Sequence, residues 1–404
     1  MKKISFIQPS RNNLKYLKWS YSSIRKNLGH QHEICWADDF SDDGTWEWMQ
    51  GIAEVDLNVK IMRNEGPTRL GHTILYDKLV DMATSDIVMI YHADMYACPG
   101  MDVEVLKHLQ RGSVVSATRI EPPLHPNGPE KILHDFGIEP EEFDEEGLIH
   151  WLNSGMVTEK EPTEGIFAPW AIYKDDFLAI GGHDPLYAPQ SKEDSDIFNR
   201  FQLAGYELKQ TWQGFVYHMT CRGSRFKDGA LRNPAGQVFM KGRESSEWLK
   251  QNLRSTRNFI RKWGHMVNHN EYLKPIIPPK YDIGFKVYNA DKNLLRELEP
   301  WCSCIYLDFG SDYMHEYKKE EQPDTDFNLD ERVKLYGNAD ITKYHDIVVE
   351  FDAQKLNPKN FQVIVSISEL LQDSGEVGEM EYEIFKFYIK SLDTYEEELI
   401  VCES

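Results

Sequence analysis

Apolar positions in the first ninety residues follow two alternating rhythms. Residues 4–8 form a short apolar run of the kind that builds a strand. Leu14, Leu17, Tyr21, Ile24 and Leu28 then recur at spacings of three and four, which is one face of a helix. A second strand is expected at 32–37, a polar loop at 38–45, a helix at 46–52 and a third strand at 59–63. Leu75, Leu79 and Met82 mark another helix, and 87–91 is a β-rich apolar run typical of a buried parallel strand. Strands and helices in this alternation predict an α/β doubly wound sheet.

The rhythm breaks over 119–169, where P-P, H-P-N-G-P and an acidic run E-P-E-E-F-D-E-E-G occur. Such a stretch reads as an insertion or lid beside a site. The pattern resumes with a helix near 194–204 and a strand near 214–218. A further helix carries Leu249, Leu253, Ile260 and Trp263 on one stripe. Pro275, Pro278 and Pro279 predict a linker over 266–280, separating a domain at 1–265 from a smaller α/β domain at 281–404. Strands of the second domain are expected at 283–288, 304–309, 347–351 and 385–389.

Charge refines this division. The 404-residue chain has a formal net charge of −21. Residues 281–404 hold 12 Lys+Arg against 28 Asp+Glu, so most of the excess lies there, and a solvated or homo-oligomerising surface is expected. Residues 222–262 run the other way, with 11 Lys+Arg against 3 Asp+Glu, a stretch suited either to phosphate groups or to a solvated basic helix face. The acidic tail argues against broad DNA binding, which needs many phosphates neutralised. No apolar run is long enough for a membrane span, and the apolar stretch after Lys2 and Lys3 stops too soon for a secretory signal. The six cysteines contain no C-x-x-C pair and read as reduced, so a cytoplasmic protein is expected.

Four constellations carry candidate chemistry. A-D-D-F-S-D-D-G-T (37–45) follows a strand, where ligands of open α/β sheets bind. It also suits an acidic turn with a helix cap. His92 and Asp94, two apart in an extended segment, point to one side and can share a divalent cation; imidazole and carboxylate favour Mn²⁺ over Mg²⁺. K-E-D-S-D (192–196) opens a helix, where acidic residues are electrostatically favoured and where one could serve as a general base. His218 follows an apolar strand, with Arg222 and Arg225 close behind as candidate diphosphate clamps.

In this order, over roughly the first 265 residues, the motifs resemble the family 2 glycosyltransferases with a GT-A fold. Pro9, Ser10, Arg11 and Asn12 match the segment after the first strand. Asp38, Asp39, Ser41, Asp43, Gly44 and Thr45 match the D-D-x-S-x-D-G-T loop. Thr68 and Arg69 match a T-R pair, His92, Ala93 and Asp94 stand at the D-x-D metal motif, and Gly181, Gly182, His183 and Asp184 match G-G-x-D. Glu193 and Asp194 match the E-D pair that supplies the base. The clearest departure is His92 in place of the first aspartate of the metal motif.

The resemblance implies an inverting, metal-dependent sugar transfer. It places Mn²⁺ (or Mg²⁺) on Asp94 and His218, with His92 as a further candidate. Asp194 is the implied base. Pro9, Ser10, Asp38, Asp39, Arg69, Glu193, Arg222 and Arg225 are the implied substrate contacts, and Trp170 is a candidate platform for an acceptor ring. The donor is a nucleotide-sugar, UDP-sugar favoured over GDP-sugar. The wider pattern is similar to glycosyltransferases of tailed bacteriophages, which implies a host-cytoplasmic enzyme acting on a glycan or a modified nucleic-acid base. The alternatives are a catalytically weak or inactive nucleotide-sugar or glycan-binding protein on the same fold, and a sugar-1-phosphate nucleotidyl transferase. The second normally has a glycine-rich loop after the first strand, and 9–13 contains no glycine.

Overall fold

The computed structural model describes residues 2–154, 160–222, 229–242, 245–308, 311–337 and 340–402. The chain divides into two compact units. The first comprises Met1–Ser246, His269–Pro275 and Val401–Ser404; the second comprises Glu247–Asn268 and Ile276–Ile400.

The first unit follows the expected alternation to residue 90. Its elements are β1 (Ile4–Ser10), α1 (Leu14–Asn27), β2 (Glu33–Asp39), α2 (Thr45–Val55), β3 (Val59–Asn64), α3 (Gly71–Met82) and β4 (Ile87–Ile90). The β4 run Ile-Val-Met-Ile is wholly buried, as its lack of polar alternation requires. In α1, Leu17 and Ile24 are buried at helical spacing and Leu28 is buried just beyond its end, while Arg25 and Lys26 sit in the last turn, where the helix dipole favours cations. Strands β1, β2, β3 and β4 pair in parallel. Ser10, Asp39 and the residues after Ile90 therefore emerge along one edge of the sheet.

The sheet continues beyond β4 with further elements, of which the sequence pattern anticipates only the helix near 194–204 and the strand near 214–218. They are β5 (Met95–Ala97), α4 (Met101–His108), β6 (Ser113–Glu121), β7 (Lys131–Leu133), α5 (Glu145–Asn153), β8 (Trp170–Tyr173), α6 (Lys174–Ala179), α7 (Glu193–Leu203) and β9 (Glu207–His218). The strand order is β3-β2-β1-β4-β8-β6-β9-β5, with β7 beside β6. The expected 119–169 insertion begins inside a strand: Arg119, Ile120 and Glu121 belong to β6 and pair with β7. The rest of it packs Phe136 and Leu148 into a cluster with Tyr16 and Tyr217.

The second unit is a six-stranded sheet, its strands at Ile283–Tyr288, Cys304–Leu307, Val333–Leu335, Ile347–Asp352, Gly378–Tyr382 and Phe385–Ile389. Phe285, Val287, Ile305, Leu307, Val349 and Phe351 lie in its core. All six cysteines are free thiols, and Cys302 and Cys304 are both buried.

Two expectations about the boundary are corrected. Helix Ser246–Trp263 belongs almost wholly to the second unit, and 266–280 is shared between the units rather than being a plain linker. The expected apolar stripe is also partly wrong, since Leu249 and Leu253 are 48% and 57% exposed. The buried face holds Arg257 and Arg261 beside Phe259, Ile260 and Trp263. Arg261 bonds Glu299 and Glu321 at 2.7 and 2.6 Å, and Arg257 bonds Glu321 at 2.7 Å. Buried cations need such partners. These two arginines of the basic 222–262 stretch are consumed inside the unit and present no surface to phosphates.

Candidate functional site

A cavity of about 630 Å³ opens at the edge where β1, β2 and β4 end. Pro9 and Ser10 from β1, Asp39 from β2, Arg69 ahead of α3, and His92 and Asp94 after β4 all line it. The parallel pairing explains the convergence, because ligands of open α/β sheets bind at carboxyl ends of strands.

His92, Asp94 and His218 form one donor set, with a ligand atom of each within 4.8 Å of the others. Strand pairing brings them together: β5 runs antiparallel to β9 with Met95 opposite His218, and Met219 N–H donates to the Asp94 carbonyl at 3.0 Å. Asp94 Oδ1 lies 3.4 Å from His218 Nε2, while Oδ2 accepts the Arg222 backbone N–H at 3.2 Å. Burial opposes charge on Asp94, yet His218 and the hydrogen bonds hold its pKa well below the usual carboxylate range. Burial, aided by the neighbouring His218, pushes His92 down to about 3. His218 Nδ1 lies 2.8 Å from Glu121 Oε1, which leaves Nε2 directed at Asp94. A carboxylate behind a ligating imidazole is the usual arrangement at metal centres. Two imidazoles and one carboxylate fit Mn²⁺ better than Mg²⁺.

The two aspartates of the acidic loop do different things. Asp38 is fully buried, pairs with Arg63 at 3.2 Å and accepts the Ser41 N–H; it does not line the cavity. Asp43 accepts from Leu14 and Thr45, so it shapes the loop. Asp39 lines the cavity and accepts N–H bonds from Asn64, Leu70 and Gly71 at 2.7, 3.0 and 2.9 Å. A carboxylate offers about four acceptor positions, and Arg69 Nε, 3.5 Å from Oδ2, faces the remaining one. Gly71 is needed here: its φ is +80°, and a Cβ would meet the Pro189 carbonyl oxygen at 2.1 Å. That close approach sets Arg69 against Gln190 at 2.8 Å.

Glu193 and Asp194 open α7 after two consecutive left-handed residues, Ser191 (φ 83°) and Lys192 (φ 74°). Glu193 is buried and bonds His72 Nε2 at 2.5 Å. Asp194 is half-buried and has no hydrogen-bond partner among the described residues. Burial, reinforced by the charge of Glu193, lifts its pKa from 3.8 to about 6. Neither residue lines the cavity directly. They reach it through neighbours: His72 and Tyr76 line it, and the buried Tyr76 phenol is pushed up by burial and by Asp194, Glu193 and Asp94 together.

Two expected contacts are corrected. Trp170 is fully buried against Phe177, His183, Phe198 and Phe201, so it is a core residue and offers no face to an acceptor ring. Arg222 lines the cavity, but its buried guanidinium donates to the Thr220 carbonyl at 2.8 Å and to the Ile138 carbonyl, and lies 3.3 Å from Glu139. It is a structural latch and has little left for a diphosphate. Arg225 lies outside the described residues.

Sequence reading missed Glu121, Arg119 and Lys131, because 119–169 read as a loop. Arg119 and Lys131 flank Glu121 at 3.3 and 3.2 Å; burial opposes its charge, but Arg119 and His218 keep its pKa low. His72 and Tyr76 were legible in principle, since they stand four apart at the start of the helix that follows Arg69.

Comparison with known proteins bears on the first unit. The family model described as Glycosyl transferase family 2 matches residues 5–159, less than half of the chain. The chain also resembles a solved structure of GalNAc-T7 with UDP, GalNAc and Mn2+, at 15% identity and a TM-score of 0.41, over 54% of this chain and 43% of that one. The chain thus spans less than half the length of that protein. The family match and the mixed sheet give the expected fold class: a GT-A-like glycosyltransferase domain followed by a further α/β sheet. Among the described residues, no helix is long and apolar enough to cross a membrane.

Proposed function

We propose that the protein transfers a sugar, with inversion, from a nucleotide-diphosphate donor to a hydroxyl of a glycan acceptor. The observation that carries this reading is the cavity wall itself. It holds the His92, Asp94 and His218 donor set together with Asp39 and Arg69, and next to Tyr76 of that wall stands a carboxylate outside the lining, Asp194, whose pKa is lifted towards neutrality. A divalent cation bound by that set would supply Lewis-acid stabilisation of charge on the departing diphosphate.

The chain's own residues do the rest. Asp39 accepts an N–H from the nucleobase, and UDP is the favoured nucleotide. Pro9 and Ser10 support the nucleoside, and Arg69 compensates diphosphate charge. Asp194 takes the acceptor hydroxyl proton as the oxygen attacks the anomeric carbon. A pKa near 6 suits a base that must be ionised yet still basic at neutral pH. Glu193 keeps that value raised and holds His72 in place.

One observation favours a second reading, a binding protein without turnover: His92, neutral at physiological pH, leaves Asp94 as the only carboxylate of the donor set.

The test is a thermal-shift screen of UDP-, GDP- and CMP-sugars with and without Mn²⁺, followed by assay of released nucleotide. A ligand that binds only the folded state raises stability. Stabilisation by UDP-sugar with Mn²⁺ and nucleotide release supports the transferase. Stabilisation without release supports the binding protein, and no stabilisation by any donor refutes both.

A further inference from the structure

We propose that Cys221 and His125 form a reactive thiol site in the wall of this cavity, one that takes small soft carbon electrophiles. Both residues line the cavity, and Cys221 Sγ lies 3.3 Å from His125 Nε2. Thr220 Oγ1 approaches the same sulfur at 3.9 Å. The backbone fixes this meeting: Thr220 and Cys221 are consecutive left-handed residues, with φ of 56° and 59°. Side-chain-bearing residues rarely adopt that conformation, and two in succession persist only where the surroundings over-determine them.

The other thiols do not share this setting. Cys35, Cys98 and Cys302 are buried, and burial pushes their pKa values far up, so they hold their protons. Cys304 is also buried; Cys402 is half-buried and does not line the cavity. The thiolate is the nucleophile in cysteine chemistry, and an adjacent imidazole supplies it by taking the proton.

The step balances without a further reagent. His125 Nε2 receives the Sγ proton as the sulfur attacks the electrophilic carbon. With iodoacetamide an S–C bond forms, the C–I bond breaks and iodide leaves; the imidazolium then returns its proton to solvent. The adduct projects into the cavity from the residue next to Arg222, whose backbone N–H holds Asp94. Alkylation therefore blocks whatever binds there. The thiol chemistry stands by itself, while its effect on donor binding rests on the proposed transferase reading.

The experiment alkylates the full chain, in a Cys402→Ser background, with iodoacetamide at pH 7 and follows each cysteine by peptide mass mapping. Cys221 is expected to react about tenfold or more faster than the buried cysteines, and His125→Asn to slow it by about tenfold. Equal rates with and without His125, or labelling of Cys221 only after addition of urea, would overturn the proposal. UDP with Mn²⁺ is expected to slow labelling by about tenfold through occupancy of the cavity. Fast, His125-dependent labelling that UDP and Mn²⁺ leave unchanged would uphold the thiol site and refute the donor reading instead.

Discussion

Replacing Asp194 with asparagine is expected to stabilise the protein while removing its activity. The carboxylate is half-buried, faces the charge of Glu193 and has no hydrogen-bond partner among the described residues, so the amide gives up only the weaker attractions of His183, His72 and Arg119. A rise from 3.8 to about 6 corresponds to about 3 kcal/mol of strain in the ionised form. Hydration of a half-buried group reduces this to about 1–3 kcal/mol. The pH window follows from the direction of the change. Because the folded value lies above the unfolded one, between pH about 4 and 6 the folded protein keeps a proton that the unfolded chain has lost. Stability therefore falls as pH rises through that window and stays lower above it. Asp194→Asn should be more stable than the parent by about 1–3 kcal/mol at pH 7.5, with the advantage shrinking to about 0.5 kcal/mol or less at pH 4. Urea denaturation of both proteins at the two pH values measures this. In the parent, kcat/KM for transfer should fall on the acid side with a midpoint near pH 6, and the substitution should cut transfer by about 10²–10⁴-fold. A variant no more stable at pH 7.5 than its parent would refute the electrostatic account, and one that retains transfer would refute the base.

Other substitutions probe the site's parts. Asp94→Ala should weaken Mn²⁺ binding at least about 100-fold in a titration followed by electron paramagnetic resonance, and unchanged affinity would remove it from the donor set. Glu121→Gln should loosen Mn²⁺ by about 10–100-fold through disorientation of His218, with the fold intact by circular dichroism. A Glu121→Gln protein that binds Mn²⁺ normally would make that carboxylate merely an ion-pair partner. Trp170→Ala should cost about 3–5 kcal/mol of stability, as expected for a buried core tryptophan. A stable Trp170→Ala protein with a selective rise in acceptor KM would restore it to the binding surface.

The first ninety residues were legible because their hydrophobic periods change cleanly from two to 3.6, and no tertiary context overrides them. The reading failed where polar residues are buried in pairs. Glu121, Arg119 and Lys131 looked like loop residues, yet they line one another in and beside β6. Arg257 and Arg261 looked like an exposed basic face, yet Glu299 and Glu321 bury them. Trp170 showed the converse error, a core aromatic taken for a ligand platform.

The sequence by itself determined the α/β alternation, the loops that follow β1, β2 and β4, and the residue types available for metal, base and phosphate chemistry. Local periodicity and spacing suffice for these, because each depends on residues close together along the chain. Only the tertiary structure decided which of them meet. His218 stands beside Asp94 because β9 returns antiparallel to β5, and Glu121 stands behind His218 because β6 runs alongside β9. Asp194 acquires its high pKa from burial and from its neighbour's charge, neither of which a linear pattern can express. Strand pairing and desolvation act between residues distant in sequence, so the chemistry of the cavity belongs to the fold and not to any single motif.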